Sequence, residues 1–291
     1  MSNITNIKRF TYEYKGPSKS LNFLYHTTLG RNCLKLLVKP SVSKIAGRFL
    51  STKASVALIK SFVKKNNIDL SEYEQRKFNS YNDFFTRKIQ VTKRIVNMNS
   101  HSFISPCDAK LSVYNINEDS IYKIKDSYYT LKDLLDNNEI YKDYYNGLCL
   151  IFRLAVDDYH RYCYIDSGTK SGNTFIPGSL HTVQPIALEN YNIYKTNCRE
   201  YTILHTDNFN DIIQVEVGAL LVGKIVNHHN EHSFNKGDEK GFFEFGGSTI
   251  VLLVKENIVK LDPEFLENTK NGLETIVKYG ERIGIKYEKT S

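Results

Sequence analysis

Several features that would assign a chain to a common structural class are absent from this sequence. The 291 residues include no tryptophan, and no apolar run reaches the roughly eighteen residues that a bilayer-spanning helix requires. Residues 1–9 lack the apolar core of a signal peptide, so nothing argues for export. The five cysteines are dispersed and never spaced as Cys-x-x-Cys. Their odd number and spacing favour a reducing cytosol over a disulfide framework or a zinc knuckle.

Acidic residues are also scarce in the amino-terminal part. Residues 1–66 contain thirteen lysines and arginines and one acidic residue, Glu13, whereas the rest of the chain is net acidic. Pro40 and Ser51–Thr52 indicate breaks, so we predict two or three short basic amphipathic helices. The apolar residues that recur there at helical spacing are Leu29, Cys33, Leu36, Leu37, Ile45, Phe49, Leu50, Val56, Ile59, Phe62 and Val63.

Three interpretations are open for this basic segment. A basic amphipathic helix is typical of a membrane-surface element, with its apolar face among acyl chains and its lysines on anionic head groups. The alternative is a helical layer that packs on the main domain and keeps its lysines in water. Nucleic-acid binding is disfavoured because the segment has no recognisable module and no arginine-rich helix.

The remainder of the chain is predicted to be mostly β. We predict short helices at 72–77, after an N-cap at Ser80, and after an N-cap at Thr130. Since no regular long helices separate the strands, the pattern predicts an α+β fold with an antiparallel sheet, in a domain spanning 71–291 after a helical segment 1–70. The predicted strands are 111–116, 148–156, 161–165, 200–205, 212–226, 241–245 and 249–254.

A Gly-Gly-Ser-Thr sequence lies at the junction of two of these strands. Gly246 and Gly247 can adopt positive φ, and they place no Cβ near the Gly247 carbonyl. The hydroxyl of Ser248 can therefore approach the preceding carbonyl closely. An ordinary tight turn is the simpler interpretation of these four residues taken alone.

Three other stretches contain residues with chemical potential. Asp108 is placed by a Ser-Pro-Cys-Asp turn at a strand entrance, where a plain turn aspartate is the simpler interpretation. The segment 153–164 concentrates acids, arginines and tyrosines around His160, a candidate general base. His228 and His232 are spaced i, i+4, but no third ligand is evident, and a solvated loop is favoured over a metal site. We therefore predict no metal.

In combination, these stretches resemble the phosphatidylserine decarboxylase family, over almost the whole chain after about residue 70. The short motifs occur in the order that the family has, which makes them far more specific together than singly. They are Phe84–Lys88, Ser105–Asp108, Tyr129–Leu135, Arg153–Leu154 with Asp158–Arg161, Gly178–Val183, Val217–Ala219, Lys236–Glu239 with Gly241–Phe243, and Gly246–Thr249.

The resemblance implies a self-processing enzyme whose cofactor is a pyruvoyl group made from Ser248. Cleavage between Gly247 and Ser248 would leave chains of residues 1–247 and 248–291 that stay together as a heterodimer. The family pattern also implies Asp108 as the catalytic carboxylate and a histidine as the base.

One position departs from the family pattern and leaves the identity of the base open. Family members commonly carry a second histidine three residues after the first, as the processing base, and this chain has Cys163 there. His160 is the predicted base, and His181 and Cys163 are the alternatives. A thiol with an ordinary pKa of about 8.5 is a poorer base near neutral pH.

By the same resemblance, the expected reaction is decarboxylation of phosphatidylserine to phosphatidylethanolamine, through a Schiff base between the substrate amine and the pyruvoyl carbonyl. The expected location is the cytoplasmic face of the cell membrane, with the basic segment on an anionic surface. Two alternatives are a pyruvoyl enzyme that acts on a soluble amino acid and a non-catalytic membrane-surface protein on the same fold. A homodimer is open, and acyl-chain preference is undetermined.

Overall fold

A computed structural model describes residues 9–14, 16–117, 121–124, 127–136, 138–182, 184–188, 196–219, 224–246 and 248–288. These residues form eight α-helices, four of them in the basic segment. Short 3-10 turns occur at Lys53–Val56, Leu70–Glu72, Val91–Lys93 and Glu139–Tyr144. The helices are α1 (Lys19–His26), α2 (Thr28–Leu37), α3 (Pro40–Leu50), α4 (Ala57–Asn66), α5 (Tyr81–Phe85), α6 (Leu131–Leu134), α7 (Pro185–Leu188) and α8 (Glu264–Lys270).

The described strands are numbered in chain order. They are β1 (Thr11–Tyr12), β2 (Ser102–Ile104), β3 (Ala109–Asn115), β4 (Ile121–Ile124), β5 (Ser127–Thr130), β6 (Leu148–Leu154), β7 (Arg161–Cys163), β8 (Gly168–Lys170), β9 (Thr174–Ile176), β10 (Arg199–Thr206), β11 (Asn210–Val217), β12 (Ile225–Asn227), β13 (His232–Phe234), β14 (Glu239–Phe243), β15 (Ser248–Val254), β16 (Val259–Leu261), β17 (Glu274–Val277) and β18 (Arg282–Lys286).

One large sheet organises the molecule. Its strands run in the order β1-β17-β3-β6-β15-β11-β10-β8-β13, with β9 also paired to β10. Two three-stranded sheets, β12-β14-β7 and β16-β18-β2, and the β4-β5 ribbon complete the strand pairing. The long central pairs are all antiparallel, which confirms the predicted α+β fold with a mainly antiparallel sheet.

The main core forms around the central strand β15, whose seven residues are all buried. Tyr25 of α1 and Leu34 of α2 belong to the same core. A second, smaller cluster joins Leu50 of α3 to Tyr81 and Phe85 of α5. The amino-terminal helices are therefore packed against the sheet domain. The division into a segment 1–70 and a domain 71–291 remains a prediction.

The predicted breaks in the basic segment are present. Pro40 occupies the first turn of α3, and Ser51 caps its carboxyl end. The segment holds four α-helices where two or three were predicted, because Ser18 caps an additional helix, α1, through a hydrogen bond from Leu21 N. The predicted caps at Ser80 and Thr130 also accept backbone hydrogen bonds, from Asp83 and Asp133.

Two predicted elements are wrong. The helix at 72–77 is replaced by a 3-10 turn and extended chain, since Glu74 N donates to Lys88 O and Gln90 N donates to Glu72 O, each at 2.9 Å. The strand predicted at 212–226 is two strands in different sheets. β11 ends at Val217, and β12 pairs with β14. In both cases hydrogen bonding to another segment of the same chain overrides the local sequence pattern.

No helix in the described ranges has the length and apolarity needed to cross a membrane.

Candidate active site

The candidate nucleophile is the first residue of the central strand. Ser248 pairs with Leu154 of β6 and is fully buried. Its Oγ has no hydrogen-bond partner among the described residues. Gly246 has φ of 134°, in the region that favours glycine. Gly247, on the other side of the predicted cleavage point, lies outside the described residues.

The register of the sheet determines which face Ser248 occupies. Glu200 of β10 pairs with Glu216 of β11, and Glu216 pairs with Ile250 of β15. Because side chains alternate along a strand, Ser248 lies on the same face as Ile250 and Glu200. Lys240 of β14 reaches Glu216 at 2.6 Å, so the smaller sheet covers this face.

The loop that joins β6 to β7 brings His160 towards Ser248. β6 ends at Leu154, opposite Ser248, and β7 begins opposite Phe242 of β14. The two ends of the loop therefore flank the segment that leads into the Gly-Gly-Ser sequence. Phe243 N also donates to His160 O at 2.9 Å, which fixes the end of the loop.

The imidazole of His160 is held in one orientation. Its Nδ1 lies 2.9 Å from the carbonyl oxygen of Asp158. Since a carbonyl only accepts, Nδ1 carries the proton and Nε2 carries the lone pair. Nε2 is buried and has no hydrogen-bond partner in the described part of the chain. The ring packs on Phe85, with centroids 4.2 Å apart.

Burial keeps this imidazole neutral. It lowers the pKa of His160 to about 3, and the positive charges of Arg87 and Lys110 act in the same direction. The backbone groups of Asp158 and Gly246 oppose this shift, so the ring also lies near the backbone of the Gly-Gly-Ser segment. The unpaired Nε2 of the neutral ring offers a lone pair to a proton, and the lowered pKa makes this imidazole a weaker base than a solvent-exposed histidine.

Asp158 stabilises the loop that carries His160. Its Oδ2 accepts hydrogen bonds from Ala155 N at 2.7 Å and from Lys110 Nζ at 2.6 Å. Burial raises the pKa of Asp158, and the ammonium of Lys110 opposes this shift. The carboxylate therefore fixes the loop, while the Asp158 carbonyl orients the imidazole.

Asp108 is buried in a separate ionic cluster. Its carboxylate accepts hydrogen bonds from Arg94 Nη2 at 2.7 Å, Tyr279 N at 2.8 Å and Lys278 Nζ at 3.3 Å. Burial alone would raise the pKa of Asp108, but hydrogen bonding to Arg94 and the charges of Lys278 and Arg94 hold it below the ordinary value. No hydrogen bond joins Asp108 to His160 or Ser248 within the described residues.

Cys163 and His181, the two alternative bases, differ from His160 in their hydrogen-bond partners and in their pKa. Cys163 is fully buried, and burial raises the pKa of its thiol to about 12. Its Sγ lies 4.0 Å from Ser105 O. Burial lowers the pKa of His181 to about 4, and its Nδ1 lies 3.3 Å from the Tyr25 hydroxyl. Cys163 is therefore protonated near neutral pH, and His181 is neutral.

The remaining histidine-rich stretch lies at the surface. His228 Nε2 is 2.6 Å from Glu239, and the rings of His229 and His232 stack with centroids 3.8 Å apart. Within the ranges that the structure describes, no group of three or more His, Cys, Asp or Glu side chains is arranged to hold a metal ion.

A cavity of about 780 Å³ opens on the Ser248 face of the main sheet. It is lined by Glu200 and by Gly218, the residue after β11, and its other wall is helix α3. The remaining charged side chains of the wall are Lys44 and Arg48 of α3, with Lys224 and Glu244. No ion pair within 4.0 Å joins these charged groups in the described part of the chain.

Sequence reasoning did not single out these cavity residues. Lys44 and Arg48 were grouped with the other lysines and arginines of the basic segment, and nothing in their spacing distinguishes residues that face a cavity from residues that face solvent. For Glu244 there was a signal, since it is the charged member of the Phe-Glu-Phe alternation four residues before Ser248.

Comparison with known proteins gives a consistent family assignment. The profile of the family described as phosphatidylserine decarboxylase matches residues 81–285. "Phosphatidylserine decarboxylase proenzyme 2" of Clostridium acetobutylicum is 50% identical over 280 residues, which covers 96% of each chain. "Phosphatidylserine decarboxylase proenzyme" of Clostridium kluyveri is 40% identical over 288 residues, which covers 97% of each chain. The protein of that name from Clostridium botulinum is 39% identical over 285 residues, covering 96% of this chain.

Proposed function

Because the chain belongs to the phosphatidylserine decarboxylase family, we propose that it is a self-processing enzyme that converts phosphatidylserine to phosphatidylethanolamine. One observation carries the proposal for this chain: Ser248 Oγ and His160 Nε2 are both buried without a hydrogen-bond partner among the described residues, and the loop that carries His160 begins at Leu154, opposite Ser248. The names of these relatives call them proenzymes, in agreement with processing of the chain.

The residues around position 248 fit a pyruvoyl group made in place. The Ser248 Oγ attacks the Gly247 carbonyl carbon and passes its proton to His160 Nε2, and the amide becomes an ester as the Ser248 nitrogen regains a proton. Loss of the Ser248 Cα proton then breaks the Cβ–Oγ bond, which releases residues 1–247 with a carboxylate end. Water then adds at the Cα of residue 248. Its oxygen becomes the ketone oxygen, and the former backbone nitrogen of residue 248 leaves as ammonia.

His160 is proposed as the base in these steps, oriented by the Asp158 carbonyl. Cys163 is disfavoured because its buried thiol is protonated at neutral pH. For Asp108 we propose a positioning role, since its carboxylate binds Tyr279 N beside β17 and the Arg94 guanidinium. The Asp108 carboxylate also balances the positive charges of Arg94 and Lys278 just before β3 begins.

A pyruvoyl group at residue 248 would supply a ketone able to condense with the substrate amine and to take up the electrons released with CO2. The protein's own contribution is to bind and orient the lipid. The cavity presents Lys44, Arg48 and Lys224 against the carboxylates of Glu200 and Glu244. This pattern complements a phosphoserine headgroup, which has two anionic groups and one ammonium.

The amino-terminal helices are proposed to hold the enzyme on an anionic membrane, at its cytoplasmic face. Leu29, Cys33 and Leu36 of α2 point outward, and so do Ile45 and Phe49 of α3. A helical layer that only packs on the domain would bury these side chains. An outward apolar stripe among lysines is typical of an interfacial helix.

The two products of cleavage are proposed to remain together. β15 belongs to the 248–291 chain and lies between β6 and β11 of the other chain. It is hydrogen-bonded on both sides and fully buried, so separation would expose the core.

Denaturing electrophoresis and a lipid assay test the proposed function. The unmodified protein is expected to separate into fragments of 247 and 44 residues, and Ser248→Ala is expected to stay intact. The processed protein should release CO2 from phosphatidylserine in vesicles and not from free serine. A folded unmodified chain that is never cut would overturn the enzyme assignment, and release from free serine would favour a soluble substrate.

A further inference from the structure

One carboxylate in the cavity wall is held in place by hydrogen bonding. Glu200 Oε1 accepts a hydrogen bond from Asn227 Nδ2 at 2.7 Å. No described residue donates to its second oxygen, Oε2. Glu200 is half-buried and lies on the same face of the main sheet as Ser248. An acceptor oxygen is thus presented towards the cavity on the side where the reaction is proposed to occur.

Buried charged residues hold Asn227, the hydrogen-bond partner of Glu200, in place. Asn227 Oδ1 accepts from Lys240 Nζ at 2.7 Å, and Lys240 Nζ also bonds Glu216 Oε1 at 2.6 Å. Lys240 and Glu216 are both completely buried. Gln214 Nε2 donates to the same Glu216 oxygen at 2.8 Å. Since each member is bonded to the next, the Asn227 amide has a single orientation, in which Nδ2 donates to Glu200 and, at 3.4 Å, to Glu216 Oε2.

Two buried lysines, Lys240 and Lys170, are not available to neutralise Glu200. Lys240 is bonded to Glu216 and Asn227, as described above. Lys170 Nζ donates to Asn173 Oδ1 and to the carbonyl oxygens of His229 and Asn230. Burial lowers the pKa of Lys170, and the charge of Glu200 opposes this shift. The carboxylate at the cavity wall is therefore left without a direct cationic partner in the described part of the chain.

We propose that Glu200 binds the ammonium group of the incoming substrate headgroup, before that nitrogen loses its proton and condenses with the ketone, an assignment that rests on the function proposed above. A buried or half-buried carboxylate gains a charge-assisted hydrogen bond from an ammonium that water does not match. Lys44, Arg48 and Lys224 remain for the anionic groups of the headgroup. Asn227 acts as a positioning residue, because it reaches the substrate only through Glu200.

Binding of short-chain lipids to the uncut Ser248→Ala protein tests this role without any catalysis. The probes are dihexanoyl phosphatidylethanolamine, which has an ammonium, and dihexanoyl phosphatidylglycerol, which has a hydroxyl there, each below its micellar concentration. Glu200→Gln is expected to reduce the ethanolamine-to-glycerol affinity ratio about tenfold, the loss of one charge-assisted hydrogen bond. Glu200→Asp should keep part of the ratio, since it keeps the charge. Titration calorimetry measures both affinities.

Two matched variants make the result decisive. Glu256→Gln changes the same residue type at an exposed position and should leave the ratio unchanged. Glu244→Gln, in the same cavity, should change it less than Glu200→Gln. An unchanged ratio in Glu200→Gln, a larger effect in Glu244→Gln, or no measurable binding of either probe would overturn the assignment. Failure of the proposed function itself is seen separately, as an unmodified chain that is never cut.

Discussion

At the scale of single residues, reactivity follows from what each buried polar atom is bonded to. Ser248 Oγ and His160 Nε2 are both buried, and neither has a partner among the described residues. Burying a polar group without a hydrogen bond costs free energy, so each such atom requires an explanation, and a reaction that uses the atom is one. Asp108, in contrast, is saturated by Arg94, Lys278 and Tyr279.

His160→Ala is expected to stay uncut, because the only free imidazole nitrogen described beside the Gly-Gly-Ser segment is removed. Cys163→Ser and His181→Ala are expected to process, since neither side chain is proposed as the base. The fraction of cut chain on denaturing gels over several hours measures this. Efficient processing of His160→Ala with loss in either of the other two would assign the base to that residue.

The pH dependence of stability also reports on His160. Its pKa is lowered from 6.5 to about 3 on folding, so between these values the unfolded chain binds a proton that the folded chain does not. The free energy of unfolding should therefore fall as the pH falls from 6.5, by about 1.4 kcal/mol per pH unit for this one group. His181, with its pKa of about 4, contributes in the same direction.

Urea unfolding of Ser248→Ala at pH values from 4.5 to 7 measures this slope. Adding His160→Gln is expected to make the slope shallower by about one proton. His26→Gln, at an exposed position in α1, is the control and should leave the slope unchanged. An equal slope with and without His160 would contradict the buried neutral imidazole.

At the scale of elements, the packing of one sheet on another determines what surrounds the site. The small sheet β12-β14-β7 covers the face that carries Ser248, and the pair of Lys240 with Glu216 joins the two layers. The same small sheet supplies Asn227 and fixes the end of the His160 loop through Phe243. Support for the substrate cavity and support for the base therefore come from a single element.

Lys240→Met is expected to destabilise the uncut protein by about 3–5 kcal/mol, because it leaves the Glu216 carboxylate buried without its cation. The double variant Lys240→Met, Glu216→Gln removes the uncompensated charge and should recover much of this loss. Chemical denaturation of each variant measures the difference. A double variant as unstable as the single would contradict a role for the charge pair and indicate a packing defect.

At the scale of the whole molecule, charge and apolar surface are concentrated at one end of the sequence. The basic helices carry exposed apolar residues, with Leu29 and Ile45 each 66% exposed and Leu36 59%. They also carry the buried anchors Tyr25 and Leu34. Removing the whole segment would therefore damage the core, and surface substitutions are the better test of membrane binding.

The triple variant Leu29→Gln, Leu36→Gln, Ile45→Gln is expected to bind vesicles containing anionic lipid at least about tenfold more weakly, since it removes apolar area from the acyl boundary. The matched control replaces three exposed apolar residues elsewhere, Val91, Ile95 and Met98, with glutamine. Vesicle sedimentation measures both, and self-cleavage of each variant verifies the fold. Equal loss in both triples would contradict a membrane face on the basic helices.

The sequence by itself determined the elements that depend on local chemistry. The caps at Ser80 and Thr130, the break at Pro40 and most of the strands follow from short-range patterns, and the ordered motifs gave the family. Helix 72–77 and strand 212–226 were wrong because hydrogen bonds to distant segments outweigh local propensity there.

Only the tertiary structure decided how the candidate residues are grouped. The register of β15 against β6 and β11 places Ser248 on the cavity face with Glu200, and the ends of the β6–β7 loop bring His160 to it. Asp108, which the family resemblance groups with them, is hydrogen-bonded to Arg94 and Tyr279. A sequence states which side chains are available, whereas their hydrogen-bond partners are set by contacts between residues far apart in the chain, and those partners decide which atoms are free to react.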